Sequence, residues 1–249
     1  MFVLISPAKK QDFDLTTDGF QRGLPVLFES KTDHLVGILK KHSEEELAKV
    51  LSVSQQLAKL NHRRFQTFDL NADTKSALFA YQGDVYQYMD PTSWDDVALT
   101  NAKNRLLIVS AIYGILRADT QIAPYRLEMI NRIADMGSLA KYWADDVTSY
   151  VNNLMGEGTI LNLASKAYSE VIDRKKLQGQ VIDVDFLEEG SDGRLKIIAV
   201  NAKRARGLMA KAIMQMSEPN IDALKSLTVR DYRFDEDLSS EQKLVFVKG

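Results

Sequence analysis

The 249-residue chain contains no cysteine. That removes disulfides, thiolate nucleophiles, iron–sulfur clusters and cysteine-bound zinc together. Histidine is nearly as scarce: His34, His42 and His62 are the whole supply. His34 and His42 lie two helical turns apart, too far for the usual i, i+4 metal pair, so neither a metal site nor a cofactor is expected. No G-x-x-x-x-G-K-S/T, G-x-G-x-x-G or G-x-S-x-G occurs. Their absence takes the main support from P-loop, dinucleotide-binding and α/β-hydrolase readings. No apolar run approaches the roughly 18 residues that a membrane span needs. The opening "MFVLISPAKK" enters an apolar strand with no basic n-region or small-residue cleavage site. A cytoplasmic protein with no membrane partner is expected. Basic charge is not in excess either, since the net charge is −2. Any nucleic acid must therefore be held by a local patch.

What is present is an ordinary globular balance, 45% hydrophobic and 27% charged, in a length near the limit of a single core. Residues 2–5 read as a buried strand ending in the turn Ser6-Pro7. Apolar residues recur helically over 27–42, and Ser43 with Glu46 forms a capping box for a second helix. Ser93 with Asp96 marks another helix start, running to about Lys103. A short strand at 105–110 is stopped by Gly114, and Ser138 caps a long helix over 138–155. Further strands are expected at 159–165 and, as a hairpin around "GSDG", at 180–189 and 194–200. A helix from about Ala202 to Met216, with Asn201 as N-cap, precedes the closing strand "KLVFVK". No linker, composition break or repeat divides the chain, and the strict βαβ rhythm is missing. One mixed α/β (α+β) domain over residues 1–249 is expected.

Charge sits in unusual places. On the last long helix Leu208, Met209, Ala212, Ile213 and Met216 share the core arc, and Lys203, Arg204, Arg206 and Lys211 fall opposite. Lys203, Arg204 and Arg206 fall in the first turns, where the dipole makes each cation cost about 0.3–1 kcal/mol. A strand feeding such a helix start suits phosphate binding; a solvated basic face is the other reading. The stretch "SVSQQLAKLNHRRFQTF" has a similar oddity. Its helix ends near Leu60, and Arg63 and Arg64 open the next segment, which is the spacing of a helix-hairpin-helix. Lys59 and Asn61 stand in place of the hairpin glycines, and one continuous or kinked surface helix is the alternative. In "IYGILRADTQIAPYRLEM", an extended Ala123–Met129 points Tyr125, Leu127 and Met129 one way and Arg126 and Glu128 the other.

Six ordered segments resemble landmarks of the YaaA peroxide-stress family from the first residues to the last ten: "ISPAKK", "GDVYQYM", "SAIYGILRADTQIAPYRLEM", "NLASKAY", "KRARGLMAKAI" and "YRFDEDLSSEQKLVF". The resemblance implies a cytoplasmic bacterial protein of the hydrogen peroxide stress response, limiting free iron and oxidative DNA damage. It also implies a family-specific fold with a basic cleft, a helix-hairpin-helix-like element and DNA binding, and it implies no enzymatic reaction. Carried onto this chain, Lys9 takes the lysine of S-P-A-K and Arg117 the arginine after Y-G-x-L. Tyr125, Arg126 and Glu128 stand in P-Y-R-L-E-M, Lys203 and Arg206 in K-x-A-R-G, and Asp84 and Tyr86 in G-D-V-Y. Ala111-Ile112, Ala118-Asp119-Thr120, Ile130, Ala167 and Asp231 depart from the pattern.

The DNA- or anion-binding residues are thus expected to be Lys9, Arg63, Arg64, Arg117, Arg126, Lys203, Arg204 and Arg206, with those around Lys9, Arg117, Arg126, Lys203 and Arg206 converging on one cleft. Asp84, Tyr86, Tyr125 and Glu128 are expected to support the cleft, Glu128 by holding Arg126. Tyr113 and Tyr125 either stack on bases or pack. The expected partner is DNA, duplex or single-stranded, bound with weak sequence preference. An enzyme acting on a nucleotide or other phosphorylated small molecule, with Glu128 or Asp84 as general acid–base, is the alternative. Iron binding by Asp183, Asp185, Glu188 and Glu189, or by Asp235 to Asp237, is a third reading.

Overall fold

The centre of the fold lies where apolar runs are uninterrupted. "FVLI", "LLIVS" and "TILN" bury nearly every side chain, the pattern of parallel strands covered on both faces. The computed structural model describes all residues of 1–249 except Leu15, Thr17, Gln21, Arg22, Asp73 and Asp135. Among the described residues a mixed sheet of nine strands forms. It comprises β1 (Phe2–Ile5), β2 (Leu106–Ser110), β3 (Gly114–Arg117), β4 (Thr159–Asn162), β5 (Gln180–Glu189), β6 (Thr228–Val229), β7 (Tyr232–Ser240) and β8 (Lys243–Lys248), with Leu195–Lys196 paired to β5. The order is β6-β7-β8-β5-β4-β1-β2-β3. The five strands from β8 to β2 run parallel, and antiparallel pairings finish both edges. The mixed α/β expectation holds. No helix among the described residues is long and apolar enough to cross a membrane.

The helices that bear on the site are α1 (Glu29–Leu39), α2 (Glu44–Leu51), α3 (Gln55–Gln66), α4 (Asp84–Met89), α5 (Asp96–Arg105), α6 (Leu139–Met155) and α7 (Ala199–Gln215). The capping box of α2 forms in both directions: Glu46 N donates to Ser43 Oγ at 3.2 Å and Ser43 N to Glu46 Oε2 at 2.8 Å. Other boundaries shift for identifiable reasons. Asp95, not Ser93, caps α5, accepting from Ala98 N at 2.9 Å. Ser138 precedes α6, but its side chain makes no capping bond. β4 ends at Asn162, whose amide oxygen turns back to accept from Ala164 N at 3.0 Å.

Two differences alter the functional expectations. The strand expected at 194–200 is only Leu195–Lys196, because α7 begins at Ala199. Asn201 is therefore inside the first turn, and Lys203, Arg204 and Arg206 lie beyond it, where the dipole has faded. The expected phosphate site at this helix start is not formed by these residues. Second, α3 is unbroken from Gln55 to Gln66. Lys59 and Asn61 are helix interior, and Asn61 Nδ2 donates to Leu57 O at 2.8 Å. No hairpin exists there, and Arg63 and Arg64 occupy the last turn, where cations suit the dipole.

α7 packs between the sheet and α4, and Gly207 sets the distance. A Cβ on Gly207 would lie 2.2 Å from Val85 O and 3.0 Å from Met89 N, both backbone atoms of α4. Neither helix can yield without moving as a body, so Gly207→Ala is expected to destabilise the protein by about 1–3 kcal/mol. Gly37, inside α1, has nothing within 4 Å of a built Cβ. Gly37→Ala is expected to stabilise by about 0.5–1 kcal/mol. Urea unfolding of the two variants beside the parent checks both signs.

Candidate anion-binding cleft

The chain leaves β1 for β2 on one side and returns later to β4 on the other. Strand order thus reverses at β1, and the loops after β1 and β4 diverge to leave a crevice at the carboxyl ends of the strands. The two loops are joined at their roots. Leu163 N donates to Leu4 O at 2.8 Å, and Ser165 N to Ser6 Oγ at 2.9 Å. Tyr86, from α4, donates its hydroxyl to Ser6 O at 3.1 Å. The outcome is a recess of about 490 Å³ bounded by Ser6–Lys10, Gln82–Tyr86, Glu128–Ile130, the 163–168 loop, Lys203 and Arg206. Gly83, at φ +151°, lets α4 start beside Ala8, which lies 3.4 Å from where a Cβ would be.

Charge around this recess is close-set. Lys9 Nζ is 2.8 Å from Glu128 Oε1, and Arg126 Nη2 is 3.8 Å from the same oxygen. Glu128 therefore holds Lys9 more closely than Arg126. Arg126 Nε is buried with no hydrogen-bond partner among the described residues. Arg64 reaches the same region: burial, then the Arg126 charge, lowers its pKa. Tyr168 is pushed up to about 12 by burial and the Glu128 carboxylate, so it remains a hydroxyl donor at neutral pH. Arg206 is half-buried, and burial lowers its pKa against the pull of Asp185. Its Nε has no hydrogen-bond partner among the described residues.

The expected residues divide into two groups. Lys9, Lys203, Arg206, Asp84, Tyr86 and Glu128 line the recess, and Arg126 lies against it beside Lys9 and Tyr168. Arg117 does not join them. It sits on edge strand β3, donates from Nη2 to Lys103 O at 2.6 Å and lies 4.0 Å from Asp119, so its guanidinium is taken up by the chain itself. Arg204 turns to Asp84, 3.5 Å away, and lies over the Tyr88 ring, tying α7 to α4. Arg63 is exposed on α3. Tyr125 packs: it is 2% exposed, and its hydroxyl is 2.7 Å from that of Tyr81 and 2.8 Å from Ser110 Oγ. Tyr113 is buried too and donates to Ala123 O at 2.9 Å. The alternation expected over 123–129 holds, with Tyr125, Leu127 and Met129 buried and Arg126 and Glu128 partly exposed.

A second recess of about 820 Å³ shares Ser165 and Arg206 with the first. It exists because Asn162, the last residue of β4, pairs with Asp183, leaving the rest of β5 to run on as a wall. Arg174 grips Asp183 with a fork of 2.9 and 2.7 Å, and Asn162 Nδ2 adds a bond of 2.7 Å. Lys243 lies 3.1 Å from Asp185, and Lys248 lies 3.2 Å from Glu188, which also accepts from the Tyr232 hydroxyl. Three of the carboxylates considered for iron are thus committed to cations. The sequence reading did not single out Ser165, Tyr168 or Arg174. The signal was available in "NLASKAY", which like "ISPAKK" is a strand passing into small residues at its carboxyl end.

Burial alone would raise the Asp183 carboxyl, but the Arg174 fork, the Asn162 amide and the charge of Lys243 outweigh it and hold it below the usual range. A lowered native pKa contributes stability that is present above the unfolded value, about 3.9, and is lost as pH falls through the native value. Asp183→Asn is therefore expected to lower the melting temperature at pH 7. The gap to the parent should close as pH falls below about 4. Thermal melts of both proteins across that range test it.

With this geometry described, the relatives of the chain give it a context. The family described as peroxide stress protein YaaA matches residues 1–238. The UPF0246 protein of Rickettsia peacockii (strain Rustic) is 37% identical over 252 residues, covering 100% of both chains. A UPF0246 protein of Francisella philomiragia is 35% identical over 256 residues, again covering 100% of both. Similarity of this extent spans the cleft loops, α4 and α7 alike, and the chain belongs to the peroxide stress protein YaaA family.

Proposed function

We propose that the protein acts in the peroxide stress response by binding DNA through the groove at the carboxyl ends of β1 and β4 and along the Asp183–Asp185 stretch of β5. The observation that carries this reading is the local charge. The two recesses, the small pocket beside Arg126 and the hollow beside Lys49 and Arg132 share walls at Lys9, Glu128, Ser165 and Arg206. Their linings bring eleven Lys and Arg against six Asp and Glu, in a chain whose net charge is −2. A connected trough with this excess suits a polyanion longer than one nucleotide. The cations are spread over loops, strand ends and the flanks of α2 and α7 rather than gathered on one helix, so phosphates rather than base edges are read. Sequence preference is accordingly weak, and either duplex or a single strand fits the scheme.

The rival reading, an enzyme using Glu128 or Asp84 as general acid–base, has less support. Lys9 and Arg126 hold the first carboxylate, and Arg204 the second. Limiting of free iron by the chain itself lacks a donor set: among the described residues no group of three or more His, Asp or Glu is placed to hold a metal ion.

DNA affinity is expected to fall with salt at a slope of roughly −0.9 per phosphate neutralised for duplex. Lys203→Ala and Arg206→Ala should each reduce that slope by about 1, and Arg63→Ala, on the exposed end of α3, should leave it unchanged. Fluorescence anisotropy over a salt series measures all three. Affinity indifferent to salt, or a loss confined to Arg63→Ala, overturns the proposal.

A further inference from the structure

We propose that the recess between Tyr86 and Arg206 takes one nucleoside phosphate unit, with the base inside and the phosphate at the rim. For its phosphate contact this rests on the groove reading; for the base it goes beyond it. The argument is the separation of chemistry within one cavity. Pro7, Ala8, Tyr86, Met129 and Leu163 form its inner walls, and the cations Lys9, Lys203 and Arg206 line it too. Tyr86 is only 3% exposed and is fixed by its bond to Ser6 O, and Met129 is 4% exposed. Both are set parts of the wall rather than mobile surface.

A site for phosphate alone needs cations and backbone amides; it has no use for apolar walls within a recess of about 490 Å³. A nucleobase has two apolar faces and a polar edge, and a cavity of roughly 300–1,000 Å³ is the usual size for a ligand of that class. The inner polar groups are few. Ser165 and Gln82 are at hand for a base edge, and Tyr168, a hydroxyl at neutral pH, is a further donor. Arg206 supplies the other end. Its buried Nε has no hydrogen-bond partner among the described residues, and its side chain lines both recesses. A phosphate there would meet a guanidinium already partly stripped of water by burial, which is the condition under which a charge-assisted bond gains most.

Two sources offer the same chemistry. One is a free nucleotide. The other is a nucleotide turned out of a DNA strand lying in the groove, an event least costly where the base is already unpaired.

Calorimetric titration with dAMP, deoxyadenosine and deoxyribose 5-phosphate, followed by a duplex carrying one bulged adenine and the same duplex without it, tests the inference. The result expected is dAMP bound at least roughly tenfold tighter than deoxyribose 5-phosphate. Arg206→Gln should weaken dAMP by about tenfold and leave deoxyadenosine unchanged. Ala167→Phe, which fills the recess from the 163–168 segment, should weaken dAMP similarly; if it does not fold, Arg206→Gln carries the test alone. A bulged duplex preferred over the intact one, with the preference lost in Ala167→Phe, assigns the unit to DNA. Equal affinity for the two duplexes with dAMP bound assigns it to a free nucleotide, and either outcome supports the site. Equal affinity for dAMP and deoxyribose 5-phosphate, or no binding of either, overturns the inference. Salt-dependent binding of intact duplex beside that result leaves the groove reading standing. Tight dAMP binding with no duplex bound removes the groove reading instead.

Discussion

Ser165 N donates to Ser6 Oγ across 2.9 Å, and the rest of the site depends on that seam. It joins the loops that leave β1 and β4, at the place where strand order reverses and no crossover helix fills the gap between them. Without a bond at the roots, two loops carrying Lys9 and Tyr168 would be free to separate. With it, and with Tyr86 bound to Ser6 O from above, the loops form one wall. The helix pair α4 and α7 forms the other, held at a distance that only glycine at position 207 allows. Fold and site therefore share one set of constraints: what packs α7 against α4 also places Lys203 and Arg206 on the crevice.

The electrostatics of the cleft run against stability. Burial, and then the charge of nearby Arg126, lowers the Arg64 pKa. Among the described residues the Nε atoms of Arg126, Arg204 and Arg206 are buried with no hydrogen bond. An unsatisfied buried donor costs on the order of 1–3 kcal/mol, more where it is charged. A fold selected for stability alone would pair or expose these groups. It does pair others: Arg174 with Asp183, Lys243 with Asp185 and Lys248 with Glu188. The contrast between paired cations around β5 and unsatisfied guanidinium nitrogens in the crevice is in keeping with the anion binding proposed for the crevice of a chain whose net charge is −2.

Much of this was legible in the sequence, and the limits have physical causes. The central strands stand out because parallel strands buried on both faces are apolar without interruption, and "KLVFVK" was located to the residue. Lys9, Lys203, Arg206 and Glu128 were traced to one cleft through short motifs. The expected helix-hairpin-helix does not form: without the hairpin glycines α3 runs on through Lys59 and Asn61, and the Asn61 amide bonds Leu57 O within the helix. Arg117 was misplaced because a motif reports neighbourhood in the chain, whereas the edge position of β3 turns that side chain to Lys103. Arg204 looked like its neighbours on a helical wheel, but the partner that claims it, Asp84, is 120 positions away in the chain. The contribution of Ser165 and Tyr168 depends on which strands end side by side, a property of sheet order that no local pattern encodes.

The central claim is that DNA lies on the crevice at the carboxyl ends of β1 and β4, beside the middle of β5, and not on α3. Amide hydrogen exchange with and without a duplex, at low salt, measures that directly. The account predicts added protection over 6–10, 128–132 and 163–168, with 59–66 unchanged. Protection confined to 59–66, with the three loops exchanging as before, would contradict it.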